Sequence, residues 1–249
     1  MVIDWTELRA ELAVWRRQAR HLPIWWRDDD AVSATAALER LIGLSDELQV
    51  PLHLAIIPVM ADSSLADLLK KQPRVVPMVH GWAHQNHAPE GKKKAEFGHP
   101  RETATPELAM AYARLKDLLA FENDMFFVPP WNRIDASVVS ALPAAGYAGV
   151  STFTPRNAAC PMPGLVQINT HLDPIYWRGG GGVVPADQLI SALVALLQDR
   201  RAGRTDATEP LGILTHHLVH DADIWAFTRA VLSELLAGGA IPATVRGAR

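Results

Sequence analysis

Val75-Val76-Pro77-Met78-Val79-His80-Gly81-Trp82-Ala83-His84-Gln85-Asn86-His87 reads as a short apolar strand that runs into three histidines within eight residues. Imidazole is the commonest protein ligand for borderline metals such as zinc. His80 and His84 stand four apart, so either one helical turn or a tight turn could bring them together. Two histidines do not complete a site, because a catalytic zinc usually takes three protein ligands and keeps one position open for water. Asp28-Asp29-Asp30 is the evident source of a third ligand. A lone histidine is more often a hydrogen-bonded core or loop residue. The cluster, taken with the acidic triplet, points to a metal.

The same pattern of apolar strand, polar loop and helix recurs on both sides of this stretch. Upstream, Leu22-Pro23-Ile24-Trp25-Trp26-Arg27 is a strand ending in the aspartates. Residues 33–49 are a helix with Leu38, Leu41, Ile42, Ser45 and Leu48 inward. Leu52-His53-Leu54-Ala55-Ile56-Ile57 is a strand stopped by Pro58, with a short helix over 65–71. Residues 4–20 form an amphipathic helix packed outside the fold, since Trp5, Leu8, Leu12, Trp15 and Ala19 recur at spacings of three and four. Downstream lies a polar loop with Lys92-Lys93-Lys94, most simply a solvated face and alternatively an attraction for an anionic substrate. Thr105-Pro106-Glu107 has the signature of a helix start. Further strands fall at 125–128, 147–152, 165–169 and 211–215. Asp135 caps a helix that ends before Gly146, and helices span 186–201 and 221–236. The tail beyond Gly238 is expected to fray.

Seven strands alternating with helices predict an α/β fold, a parallel sheet with helices outside it. A closed or partly open barrel and a doubly wound open sheet both satisfy that. The open sheet would usually bring a glycine-rich first turn, whereas the first strand here ends in aspartates. The 249 residues, 49% of them hydrophobic, suffice for one core, and we expect one domain with residues 1–22 as an external N-terminal helix. A net charge of −3 with both signs dispersed speaks against a nucleic-acid surface. The single cysteine, Cys160, excludes an intramolecular disulfide and a cysteine zinc cluster. No secretory signal is apparent at the start, and no apolar run is long enough to cross a membrane, so a cytoplasmic location and no membrane partner are expected.

The chemistry-bearing residues cluster at strand ends. The aspartates follow strand one and the histidines strand three. Trp131, Asn132 and Arg133 follow strand four, His171 and Asp173 strand six, and His216 and His217 strand seven. In a (β/α) barrel the loops at the carboxyl ends of the strands form one face, where active sites lie. A metal would take one carboxylate together with His80 and His84. A neighbouring carboxylate could serve as base, and His216 or His217 could protonate a leaving group. Asp30 could instead partly cap the next helix, and the His216-His217 pair could be a satisfied buried one.

These motifs resemble the polysaccharide deacetylase superfamily, carbohydrate esterase family 4, and its divergent relatives. The resemblance runs from about residue 23 to 221 and implies a distorted (β/α)7 barrel. The family's first motif, a catalytic base and a metal ligand in tandem, is matched by Arg27-Asp28-Asp29-Asp30 with one aspartate to spare. The register of the divergent relatives makes Asp29 the base and Asp30 the ligand; the other makes them Asp28 and Asp29. His80 and His84 match the second motif, with Gly81 in place of the hydroxyl residue whose hydrogen bond normally shapes the loop. Pro129-Pro130-Trp131 match the third, but Val128 stands where an arginine would orient the base, a role left to Arg27 or Arg133. Asp173 and Trp177 echo the fourth motif, and Ile213-Leu214-Thr215-His216 match the fifth, which makes His216 the general acid.

The resemblance thus implies a metal-dependent hydrolase, zinc being the expected metal. Its substrate would be an N- or O-acetylated sugar or sugar conjugate, bound by Trp131, Asn132, Arg133, Asp173, Trp177 and Leu214. A degenerate barrel that binds metal or glycan without turnover, and a hydrolase of a non-sugar C–N bond, are the alternatives.

Overall fold

The computed structural model describes residues 3–121 and 125–246. Its spine is a parallel sheet. The strands are β1 (Pro23–Ala31), β2 (Leu52–Ile56), β3 (Val75–His80), β4 (Phe126–Val128), β5 (Gly149–Val150), β6 (Val166–Gln167), β7 (Leu211–Thr215) and β8 (Ile241–Pro242). They lie in the order β6-β5-β4-β3-β2-β1-β7, with β8 paired to the start of β1. The helices are α1 (Thr6–Arg17), α2 (Ala36–Leu48), α3 (Ser63–Leu69), α4 (Ala104–Leu119), α5 (Ala136–Ala141), α6 (Ala186–Arg201) and α7 (Ala222–Ala237).

The central strands are buried on both faces, which is why they read as apolar runs rather than as alternations. The two faces meet different partners. Ile24 and Trp26 join the large core under the helices, while Trp25 joins a smaller inner cluster with Ala55, Val76, Met78, Phe126, Val128 and Ile168. This curled sheet is the distorted (β/α)7 barrel. Its seam is stitched by the segment after β6. Ile168 and Thr170 donate backbone N–H groups to Val150 and Thr152, and His171 and Leu172 both donate to the Gly212 carbonyl. A side chain at Gly212 would place its Cβ 2.5 Å from Trp25 Nε1 and 2.6 Å from the Asn169 carbonyl, so only glycine lets the seam close.

The helices lie close to their expected spans, with ends displaced by a few residues. Thr35, Asp135 and Asp221 cap α2, α5 and α7 through their side chains. Helix α4, however, begins at Ala104, ahead of the expected Thr105 cap, so Pro106 sits inside the first turn rather than at its first position. The C-terminal segment also does not fray where it is described. Ile241 and Ala243 donate to the carbonyls of Leu22 and Ile24, and Val245 enters the inner cluster. A second hold is His53. It is fully buried, its Nδ1 bonds the Trp26 carbonyl at 2.9 Å, and its Nε2 accepts the Val245 N–H at 3.1 Å. Helix α1 buries Leu8, Leu12 and Trp15, and ion pairs from Arg9 to Glu234 and from Arg201 to Glu11 tie it to α7 and α6.

Candidate active site

A parallel strand sends successive side chains to opposite faces, yet Asp29 and Asp30 both reach one cavity. The register of β1 against β2 slips between Asp28 and Ala31, and Asp30 adopts a left-handed backbone with φ of 74°. This bulge re-aims one carboxylate. Asp28 keeps the ordinary register and faces away, where it accepts from Thr215 Oγ1, from the His217 backbone N–H and from His217 Nδ1. Of the two registers open in the sequence, the geometry therefore brings together Asp29 and Asp30.

The chain leaves β3 in a tight turn, not a helix, with Gly81 at φ 62° and His84 at φ 54°. His80 Nε2 and His84 Nε2 approach Asp30 Oδ1 at 3.1 and 3.3 Å. The Asp30 oxygen is buried, but neither imidazole is aligned to hydrogen-bond it. One ligand atom from each of the three residues lies within 4.8 Å of the others. His80 Nδ1 bonds the Val128 carbonyl at 3.0 Å. Donation there leaves Nε2 with its lone pair toward the cluster, the usual second partner of a metal-ligating histidine. An orphaned carboxylate oxygen faced by two imidazole nitrogens fits a divalent cation. Burial would raise the Asp30 carboxyl, but the His80 imidazole beside it outweighs this and holds it well below the usual range. Burial and the neighbouring His80 lower His84. Burial also pulls His80 down, but the Asp29 and Asp30 carboxylates hold it above its ordinary value.

Next to this triad sits a second, fully buried pair. Arg27 Nη2 donates to Asp29 Oδ2 at 3.0 Å, and Nε approaches Oδ1 at 2.9 Å in a bent contact. Arg27 is itself held by Ser151 Oγ at 2.7 Å and Asn132 Oδ1 at 2.6 Å. Of the two arginines, it is Arg27 and not Arg133 that pairs with Asp29. Arg133 lines the cavity but donates to the Lys94 carbonyl. His216 Nε2 lies 4.0 Å from Asp29 Oδ2, and its Nδ1 is buried with no hydrogen-bond partner among the described residues.

The cavity, about 690 Å³, is lined by all the expected residues: Asp29, Asp30, His80, His84, Trp131, Asn132, Arg133, Asp173, Trp177, Leu214 and His216. Phe153, Ile175 and Arg178 complete it. Trp131 and Asn132 both have left-handed backbones, φ 57° and 56°, a strained pair that turns the indole onto the His84 ring at 4.3 Å. Trp177 donates to Asp173 at 2.8 Å and meets the His216 ring edge-on. Burial raises the Asp173 carboxyl, against the opposing pull of His216 and the Trp177 bond.

Other histidines lie outside the cavity. His171, which follows strand six in the sequence, is buried in the seam between Glu209 and Arg200. His87 and His99 do not reach the site. Glu96 escaped sequence reasoning, although its buried carboxylate accepts from the backbone N–H groups of Trp82, Ala83 and His84. A glutamate in a polar loop carries no periodic signal. Only Gly81, in place of a hydroxyl residue, hinted that something else shapes the turn.

No protein-family model and no curated protein sequence matches the chain. Solved structures do. A family 4 acetyl xylan esterase from Clostridium thermocellum in complex with a cobalt ion is similar with TM-score 0.54, at 12% identity over 90% of this chain and 88% of the other. A family 4 carbohydrate esterase from Streptomyces lividans in complex with acetate gives 0.55, at 13% identity over 89% and 92%. The Bc1960 peptidoglycan N-acetylglucosamine deacetylase gives 0.56, at 15% identity over 90% and 86%. At such identities the likeness is one of fold.

Proposed function

We propose that the chain is a metal-dependent hydrolase that removes an acyl group, acetyl above all, from the nitrogen or oxygen of a sugar or sugar conjugate. The observation that carries this is the convergence of Asp30, His80 and His84 on one point beside the Arg27–Asp29 pair and His216. A zinc ion held by those three residues would polarise the acyl carbonyl and lower the pKa of water at the site. Asp29 is the base that takes a proton from the attacking water, and Arg27 fixes its carboxylate for that task. Water oxygen adds to the acyl carbon, the C–N or C–O bond breaks, and His216 gives the departing nitrogen or oxygen its proton. Acetate and the free amine or alcohol are the products. Trp131, Trp177 and Leu214 offer apolar surface for the acyl methyl and the sugar face.

Cobalt and acetate bound by the structural neighbours agree with this reading. The non-catalytic alternative drew on Val128 at the arginine position, and Arg27 beside Asp29 favours the catalytic one. The test is acetate release from a panel of N- and O-acetylated mono- and oligosaccharides. It uses zinc-loaded protein, chelator-treated protein and the Asp29→Asn variant. Release that needs zinc and disappears in the variant is expected. A zinc-loaded protein that releases no acetate, or whose release survives Asp29→Asn, contradicts the assignment.

A further inference from the structure

Glu96 lies in the loop between β3 and α4, twelve residues from the nearest candidate ligand. Its Oε2 accepts the N–H groups of Trp82 and His84, each at 3.2 Å, and its Oε1 accepts that of Ala83 at 2.8 Å. Three successive backbone donors converging on one anion form a nest. Left-handed residues bracket it, glycine at 81 and, less commonly, a histidine at 84. The backbone segment that carries the carboxylate is itself held from both sides. The Glu96 carbonyl accepts from Arg101, the neighbouring Ala95 exchanges bonds with Asn86 and His87, and Phe97 bridges to Ile134. A Cβ at Gly81 would lie 2.1 Å from Glu96 Oε2 and 2.6 Å from Pro130 Cγ. A hydroxyl side chain at 81 and a carboxylate at 96 thus exclude each other.

We propose that Glu96 is the positioning residue of the metal site, holding His84 in the one backbone conformation that aims its Nε2 at Asp30. The inference rests on the metal-site reading above. Without the carboxylate, three inward N–H groups lose their acceptor, and the turn relaxes toward a conformation with negative φ at His84. The ligand would then swing away, while His80, fixed by the Val128 carbonyl, stays.

Glu96→Gln tests this, because glutamine keeps the shape but sets an NH2 group against backbone donors. The control is Glu209→Gln. Glu209 is also a buried carboxylate that accepts two backbone N–H groups, of Arg156 and Asn169, but it sits just before β7, at the opposite end of that strand from His216. Zinc affinity is measured by competition with a chromophoric chelator, and ligand geometry by the visible spectrum of the cobalt form. Glu96→Gln should weaken zinc about 10- to 100-fold, the usual effect of losing an outer-shell partner, and should change the cobalt spectrum. Glu209→Gln should lower thermal stability and leave both readouts as in the wild type. Should Glu96→Gln fail to fold, Glu96→Asp, which withdraws the carboxylate by one methylene, must show the same loss in smaller degree. Wild-type affinity in the Glu96 variant, or an equal loss in the Glu209 variant, overturns the proposal. If the wild type binds neither zinc nor cobalt, the metal reading itself falls and takes this one with it.

Discussion

Replacing Arg27 with methionine should destabilise the protein and disable it at once. Arg27 has no exposed surface, and its partner Asp29 is 2% exposed. The substitution keeps the side-chain volume in the barrel but leaves a buried carboxylate without its cation. Breaking a buried pair in this way typically costs about 3–5 kcal/mol, against a whole stability of about 5–15 kcal/mol. Ser151 Oγ and Asn132 Oδ1 also lose a donor, which places the expectation toward the upper end. Urea unfolding at neutral pH measures the loss. Asp29→Asn in the same chain removes the stranded charge, so Arg27→Met/Asp29→Asn should recover about 2 kcal/mol or more relative to Arg27→Met, the coupling expected of contacting residues. A loss below about 0.5 kcal/mol, the range of ordinary surface substitutions, would refute the reasoning. So would a double variant no more stable than the single one.

His80→Ala should abolish zinc binding while circular dichroism stays native, since the ligands sit at the carboxyl ends of β1 and β3 and in the turn that follows, at the rim of a packed core; a collapsed variant would make the metal structural. His216→Ala should lower kcat about 10²- to 10⁴-fold with metal retained. His217→Ala should instead cost about 3 kcal/mol of stability by stranding the buried Asp28. Equal activity losses in the two variants would contradict that asymmetry. Burial lowers the imidazole of His53 to about 4 from an ordinary 6.5. The unfolded chain therefore binds this proton first, and the contribution, full above pH 6.5, is lost as pH falls toward 4. At 1.36 kcal/mol per pKa unit the loss amounts to about 3 kcal/mol. Unfolding of wild type and His53→Asn compared at pH 7.5 and pH 4 should show that difference, and parallel curves would contradict it.

The parts of this molecule that could be read from sequence are those set by local pattern. Apolar runs such as Val75-Val76-Pro77-Met78-Val79 read as strands because both faces are buried, and the carboxyl-end rule then gathered Asp29, His80, Trp131, Asp173 and His216 onto one face. What stayed hidden depends on registers and partners distant in sequence. Nothing in three identical aspartates marks where the bulge falls, so the choice between Asp28 and Asp30 needed the β1–β2 register. Arg27 and Arg133 were equal candidates until Ser151 and Asn132, more than a hundred residues from Arg27, fixed one of them. The tail is held by pairing with β1 and by His53, whose Nε2 catches Val245. Glu96 was invisible because its effect runs through backbone groups that every sequence possesses.

Diffraction at the zinc edge from zinc-soaked crystals tests the central claim most directly. One anomalous peak is expected, about 2.0–2.2 Å from Asp30 Oδ1, His80 Nε2 and His84 Nε2, absent from crystals of His84→Ala. A peak elsewhere, or none at this cluster with zinc in excess, would contradict the metal-dependent hydrolase.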